Sequence, residues 1–152
     1  MSTVAPEKES SPEFRRALVY DILSFIISKR VEAIAREKAK GRLDHEKIAK
    51  LKDEVEFYTQ EQDAVLEDDE AAIERVMAVH YPPIKDAYEA HRFAPISPEE
   101  RRRRQAAVDY ARASVGLEGI HLSNDFEDRA RHFVNGEIDM IEFRTGLRHA
   151  PA

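Results

Sequence analysis

Apolar residues near the start of the chain fall mostly three or four positions apart: Phe14, Leu18, Ile22, Phe25, Ile26 and Ile34. That is the helical period, and it commits this stretch to one long amphipathic helix. Ser11 supplies a capping hydroxyl just before Pro12 and Glu13, a good start signal. The helix is expected to run to about Lys40 and to stop at Gly41. Leu23 and Ile27 widen the stripe, so more than one side needs a cover. Two covers are compatible with the pattern: the helix is the centre of an N-terminal bundle, or it is a dimer interface.

A second helix is expected from Asp44, which can cap it. Ile48, Leu51, Val55, Tyr58 and Val65 alternate in steps of three and four, with Gln62 in the missing place. This is a coiled-coil-like seam. The short link Gly41-Arg42-Leu43 turns it back on the first helix as an antiparallel hairpin, favoured over a long coiled coil because the seam is short. The acidic run Glu67-Asp68-Asp69-Glu70 lacks the glycine and alternating ligands of a calcium loop. It reads as a solvated turn and the acid-rich start of a third helix. That helix carries Ile73, Val76, Met77 and His80, and Pro82-Pro83 ends or bends it. A short helix with Ile84, Ala87 and Tyr88 leads to Phe93, and Ala94-Pro95-Ile96 is the expected domain boundary.

Beyond it, Ser97 and Glu100 stand at capping-box spacing. The helix they open carries Val108, Ala111 and Val115. A second begins at Ser123 or Asn124, with Phe126, Ala130, Phe133 and Val134 inward and Gly136 at its end. Ile138 and Asp139 lead into a last helix with Ile141, Phe143 and Leu147. So few apolar contacts make a marginal core.

The expected fold is therefore all-α. A disordered tail (1–10) precedes a helical hairpin or bundle (11–93), and a small three-helix unit follows (97–150). Composition agrees: 36% of the 152 residues are charged, with no tryptophan and five glycines, which suits helices with narrow apolar stripes. Without cysteine, disulfides and thiolate metal sites are excluded. The net charge of −6 argues against nucleic-acid binding over the whole surface. Residues 17–27 form too short an apolar run for a membrane span, and residues 1–10 do not resemble a signal peptide, so a cytoplasmic protein is expected.

Catalytic patterns are missing. His45, His80, His91, His121, His132 and His149 are scattered, none paired at metal-binding spacing on a helix. No phosphate-cradling glycine loop or nucleophile elbow occurs. No enzyme, metal or cofactor is expected. The arginine run at residues 101–104 has two readings: contacts to phosphates or an acidic partner, or a solvated face, since consecutive helical residues point in different directions.

One stretch breaks a local rule. Glu118 stands in the last turn of its helix, where unpaired carbonyls disfavour a carboxylate, just ahead of a capping glycine, Gly119. Ser114 lies four residues back on the same face. With the lead-in at residues 101–104, Ala113-Ser114, Leu117-Glu118-Gly119 and Val134-Asn135-Gly136-Glu137-Ile138, residues 98–147 resemble the VbhA-type antitoxins, small helical inhibitors of Fic toxins. The family's inhibition motif is Ser or Thr, three variable residues, Glu, then Gly or Asn. Ser114, Glu118 and Gly119 match it.

The resemblance implies a trans-acting inhibitor of a Fic-type AMP-transferase. Glu118 would pair with the enzyme arginine that binds the ATP γ-phosphate, Ser114 would hold the motif, and Gly119 would let the chain leave the helix. Val115, Leu117, Tyr110 and Arg104 are the expected partner-binding residues. The chain lacks the Fic enzyme's own histidine and Gly-Asn-Gly-Arg loop, which implies the inhibitor and not the transferase. Two other readings stand beside it: a dimerising helical adaptor, self-associating through its N-terminal helices, and a DNA-binding autoregulator resting on the arginine run alone.

Overall fold

The computed structural model describes residues 11–145, and every regular element among them is helical. The tail at 1–10, Leu147 and His149 lie outside the described residues. Two compact units are formed, one ending at Glu89 and the other beginning at Ala90.

In the first unit, α1 spans Pro12–Lys38, and the Ser11 hydroxyl accepts the Phe14 amide at 3.1 Å. Helix α2 spans His45–Leu66, with Asp44 accepting from the Lys47 amide at 3.0 Å. Contacts between them run in opposite directions along the chain: Arg16 with Asp68, Ser24 with Gln62, Arg30 with Glu54. The hairpin is antiparallel. Ile48 and Val65 of the seam are buried. Gln62, the polar residue in it, donates its amide to Ser24 Oγ at 2.8 Å, so the seam has no unsatisfied amide there.

The opposite side of α1 meets the segment that follows. Helix α3, Glu70–Arg75, starts on Asp69, whose carboxylate accepts the Ala71 and Ala72 amides. The helical run reaches His80 as expected, but its last turn changes form. Residues Val76–His80 widen into a π turn, closed by the Tyr81 amide on the Val76 carbonyl at 2.8 Å. The cause is Pro82-Pro83: with no N–H, neither can bond the carbonyl four residues back, and the regular ladder cannot continue. Pro82–Ile84 forms a single 3₁₀ turn and α4 spans Lys85–Arg92.

Val19, Ile22, Leu23, Phe25 and Ile26 of α1 thus pack with Val65, Ala72, Ile73, Val76 and Tyr88 in one core. The Tyr88 ring lies edge-on to Phe25, and its hydroxyl donates to Asp21 at 2.6 Å. The broad stripe on α1 is filled within one chain, as the bundle alternative required.

The division between units falls inside α4, ahead of the expected Ala94-Pro95-Ile96. Residues after Glu89 are tied to the second unit: Arg92 Nε donates to Asp139 at 2.7 Å, and Ile96 packs on Gly136. In this unit α5 spans Pro98–Leu117, α6 Asn124–Val134 and α7 Met140–Thr145. The hydroxyls of Ser97 and Ser123 and the Asp139 carboxylate cap them. The reciprocal half of the capping box is not made, because Glu100 turns to Arg103 and Arg104. Val108, Ala130 and Phe133 form the core, with Phe126, Val134, Ile138 and Phe143 around them.

Gly136 has φ +78, and a Cβ there would come within 2.8 Å of Ile96 Cγ1. Gly136→Ala is therefore expected to cost about 1–3 kcal/mol, from the left-handed backbone and the clash together. Thermal unfolding of the variant measures it, and an unchanged midpoint contradicts the account.

Candidate functional site

Helix α5 reaches the stretch that breaks the local rule, and its end is built by backbone hydrogen bonds alone. Glu118 is the C-cap, with φ −84 and ψ 0, and Gly119 follows in the left-handed region at φ +75. The Gly119 amide bonds the Gly116 carbonyl at 3.1 Å, and the Ile120 amide bonds the Val115 carbonyl at 3.0 Å. This pair of bonds is a Schellman motif. It satisfies the last carbonyls without using any side chain.

Glu118 is left over. Its carboxylate is exposed and makes no hydrogen bond or ion pair with another described residue. Other acids in this unit are committed: Asp109 and Glu127 to Arg112, Asp125 to Arg129, Asp128 to Arg131, Asp139 to Arg92. Glu99 is also without an ion pair, but it sits in the first turn of α5, where the helix dipole favours it. At the other end of the same helix the dipole opposes Glu118. Its charge is held where the protein gives it no support.

Ser114 lies one turn back, half-buried, with no hydrogen bond from its hydroxyl to another described residue. Ser24, Ser28 and Thr59, also inside helices, bond a carbonyl of the preceding turn. Leu117 is 90% exposed and Tyr110 76% exposed, whereas Val115 is half-buried and anchors the cap through its carbonyl. Ala106, Tyr110, Ala113 and Leu117 are all exposed, at steps of four, three and four. They form a second apolar stripe on the side away from buried Val108. The spacing was readable in the sequence, hidden behind the more obvious stripe of Val108, Ala111 and Val115.

Arg104 does not lie on that surface. Its guanidinium donates to the carbonyls of Phe133 at 2.7 Å and Ile138 at 3.2 Å, and stacks over the Phe133 ring at 4.4 Å. It is a strut of the unit. Arg101, Arg102 and Arg103 are exposed.

Arg112 clamps α5 to α6, with Nε at 3.0 and 3.1 Å from the two carboxylate oxygens of Glu127. This pair was not foreseen, because nothing in the spacing links residues on different helices. It walls a cavity of about 220 Å³ between the helices, below the roughly 300–1,000 Å³ of ligand pockets. Among the described residues no three His, Asp or Glu side chains gather as a metal-ligand set.

The hydrogen bond from Arg112 holds the Glu127 carboxyl below its ordinary value of 4.5, against the opposing effect of burial. The folded state binds this proton less tightly than the unfolded chain. The stabilisation is therefore complete above about pH 4.5 and is lost as pH falls through the lower folded-state value. Acid titration followed by circular dichroism should show Glu127→Gln losing less stability than the parent over that window. Equal slopes contradict the assignment.

The two glycines at the helix end give opposite expectations. Gly116 is helical with open space around it, so Gly116→Ala should stabilise by about 1 kcal/mol. Gly119→Ala, at φ +75, should destabilise by about 1 kcal/mol. Thermal melts of both variants decide the point; a common sign would mean that α5 does not end in this way.

A family model described as Antitoxin VbhA matches residues 104–149. The matched residues lie in the C-terminal unit, which is similar to the VbhA antitoxins over that segment. No curated protein and no solved structure matches the chain.

Proposed function

We propose that the chain inhibits a Fic-domain AMP-transferase toxin in trans, with the end of α5 as the inhibitory element. The observation that carries this reading is the unpaired Glu118 carboxylate, exposed at a capped helix end inside the VbhA-type segment. A carboxylate on a rigid helix terminus is suited to meet a guanidinium directionally, and the bond strengthens where the interface excludes water. The guanidinium in question is the toxin arginine that binds the ATP γ-phosphate. Phosphoryl chemistry depends on such charge neutralisation, so occupying that arginine blocks the productive ATP pose.

The free protein contributes the poise. Glu118 has no internal partner to give up, and the dipole at the end of α5 makes an external cation more welcome still. Docking needs anchors as well as charge. Tyr110 and Leu117 on the exposed stripe are the anchors, with Ala113 between them and Ala106 one turn ahead allowing close approach of a partner helix. Ser114 lies on the Glu118 side and is free to bond the toxin. Gly119 lets the chain turn away behind the carboxylate.

Nucleotide transfer by a Fic-domain AMP-transferase, assayed with and without this chain, tests the reading. The intact chain should block transfer, and Glu118→Gln should bind but require about thirtyfold or more inhibitor for the same block. Leu117→Ala should weaken binding itself. Equal inhibition by the parent and Glu118→Gln would remove the glutamate–arginine mechanism. Failure of the intact chain to bind or block the enzyme would remove the inhibitor reading altogether.

A further inference from the structure

Charge in the N-terminal unit is segregated along its length. Residues 29–52 hold nine Lys or Arg against four Asp or Glu, while residues 53–89 hold twelve acids against two basic residues. The basic set is the closed tip of the hairpin: the last turns of α1, the link and the first turns of α2.

Internal pairing consumes neither set. At the tip, Lys40 and Lys47 share the single buried carboxylate of Glu37, Lys29 pairs with Glu32, and Arg30 with Glu54. Arg36, Lys38, Arg42, Lys50 and Lys52 are exposed and hold no carboxylate among the described residues. Toward the other end, Glu61 is taken by Arg75, Asp68 by Arg16, and Glu70 and Glu74 by Arg15. Glu56, Asp63 and Glu67 are left exposed and unpaired, seven and four positions apart along α2 and its C-cap. That spacing makes one acidic outer stripe.

We propose that the basic tip of one hairpin seats on the acidic α2 stripe of a second copy, the two hairpins lying antiparallel about a two-fold axis. Two-fold symmetry makes the tip-on-stripe contact twice, so both free ends of both copies are answered at once. In the register that brings Lys38 level with Glu67 of the other copy, Val31 comes level with that copy's Gln60, with Phe57 just under one turn nearer that copy's tip. Val31 is 51% exposed and Phe57 45% exposed, and the pairing covers both. A nucleic-acid duplex would satisfy the tip alone and be repelled by the acidic stripe. The proposal rests on the N-terminal unit and does not depend on the role of Glu118.

The test is a charge swap on the full chain. One variant reverses the tip (Lys38→Glu, Arg42→Glu, Lys50→Glu); the other reverses the stripe (Glu56→Lys, Asp63→Lys, Glu67→Lys). All six positions are exposed, so far-UV circular dichroism should match the parent. In sedimentation equilibrium the parent should have twice the chain mass at about 0.05 M ionic strength and dissociate toward about 0.5 M, as exposed charges are screened. Each variant alone should be monomeric, because both of its surfaces carry one sign. Mixing the two should restore the doubled mass. A monomeric parent at low salt, a dimer unaffected by either reversal, or variants that fail to pair on mixing each overturn the proposal. So does a parent that stays monomeric but binds duplex DNA through its tip.

Discussion

A single guanidinium holds the C-terminal unit in register. Arg104 reaches across from α5 to the Phe133 and Ile138 carbonyls, past the end of α6, and its plane lies over the Phe133 ring. The Phe133 carbonyl also accepts the Gly136 amide at 3.1 Å, so the guanidinium adds a second bond there and a first one at Ile138. Few apolar residues back it up: Val108, Ala130 and Phe133 are the core cluster. With so little buried area, polar ties decide where the helices sit. Arg112 to Glu127 and Arg92 to Asp139 act in the same way, each linking one element of the unit to another.

This reliance on arginine struts explains why Glu118 is available. The unit uses cations to fasten carboxylates and carbonyls, and none is placed at the end of α5. There the Schellman bonds close the helix with backbone groups and leave the side chain outside the network. Had a lysine or arginine stood in the last turn of α5, as in α1 and α6, it would have eased the dipole and competed for Glu118. The same feature that makes the helix end locally unfavourable keeps the carboxylate free for an outside cation.

Helix starts and stops were legible in the sequence because they depend on neighbours in the chain. Ser11, Asp44, Ser97 and Ser123 cap as their positions imply, and Gly119 and Gly136 end their helices with positive φ. The spacing of Ser114, Glu118 and Gly119 along the end of α5 and the exposure of Leu117 belong to the same local order. What the sequence hid was set by partners far along the chain. Arg104 points inward because carbonyls about thirty residues away lie within its reach; in the run of four arginines nothing marks it out. The link between Arg112 and Glu127, and the sharing of Glu37 by two lysines, follow from how helices face each other. The π turn at Val76–His80 lies between these cases: Pro82-Pro83 announced a break, but not the form it takes.

The two associations argued for this chain differ in how they respond to salt, and that difference separates them physically. Pairing of hairpin tips with acidic stripes joins exposed side chains across water, where screening reaches every contact and each pair contributes little alone. A carboxylate meeting a guanidinium in a site closed to water is screened far less and depends on geometry. Rising ionic strength should therefore part the hairpins well before it releases a toxin bound at Glu118. A paired hairpin would also join two inhibitory helices in one assembly. The gain from that arrangement depends on whether two toxin molecules are themselves held together, since avidity arises only when both sites engage at once. Against a lone toxin, each helix end would act by itself.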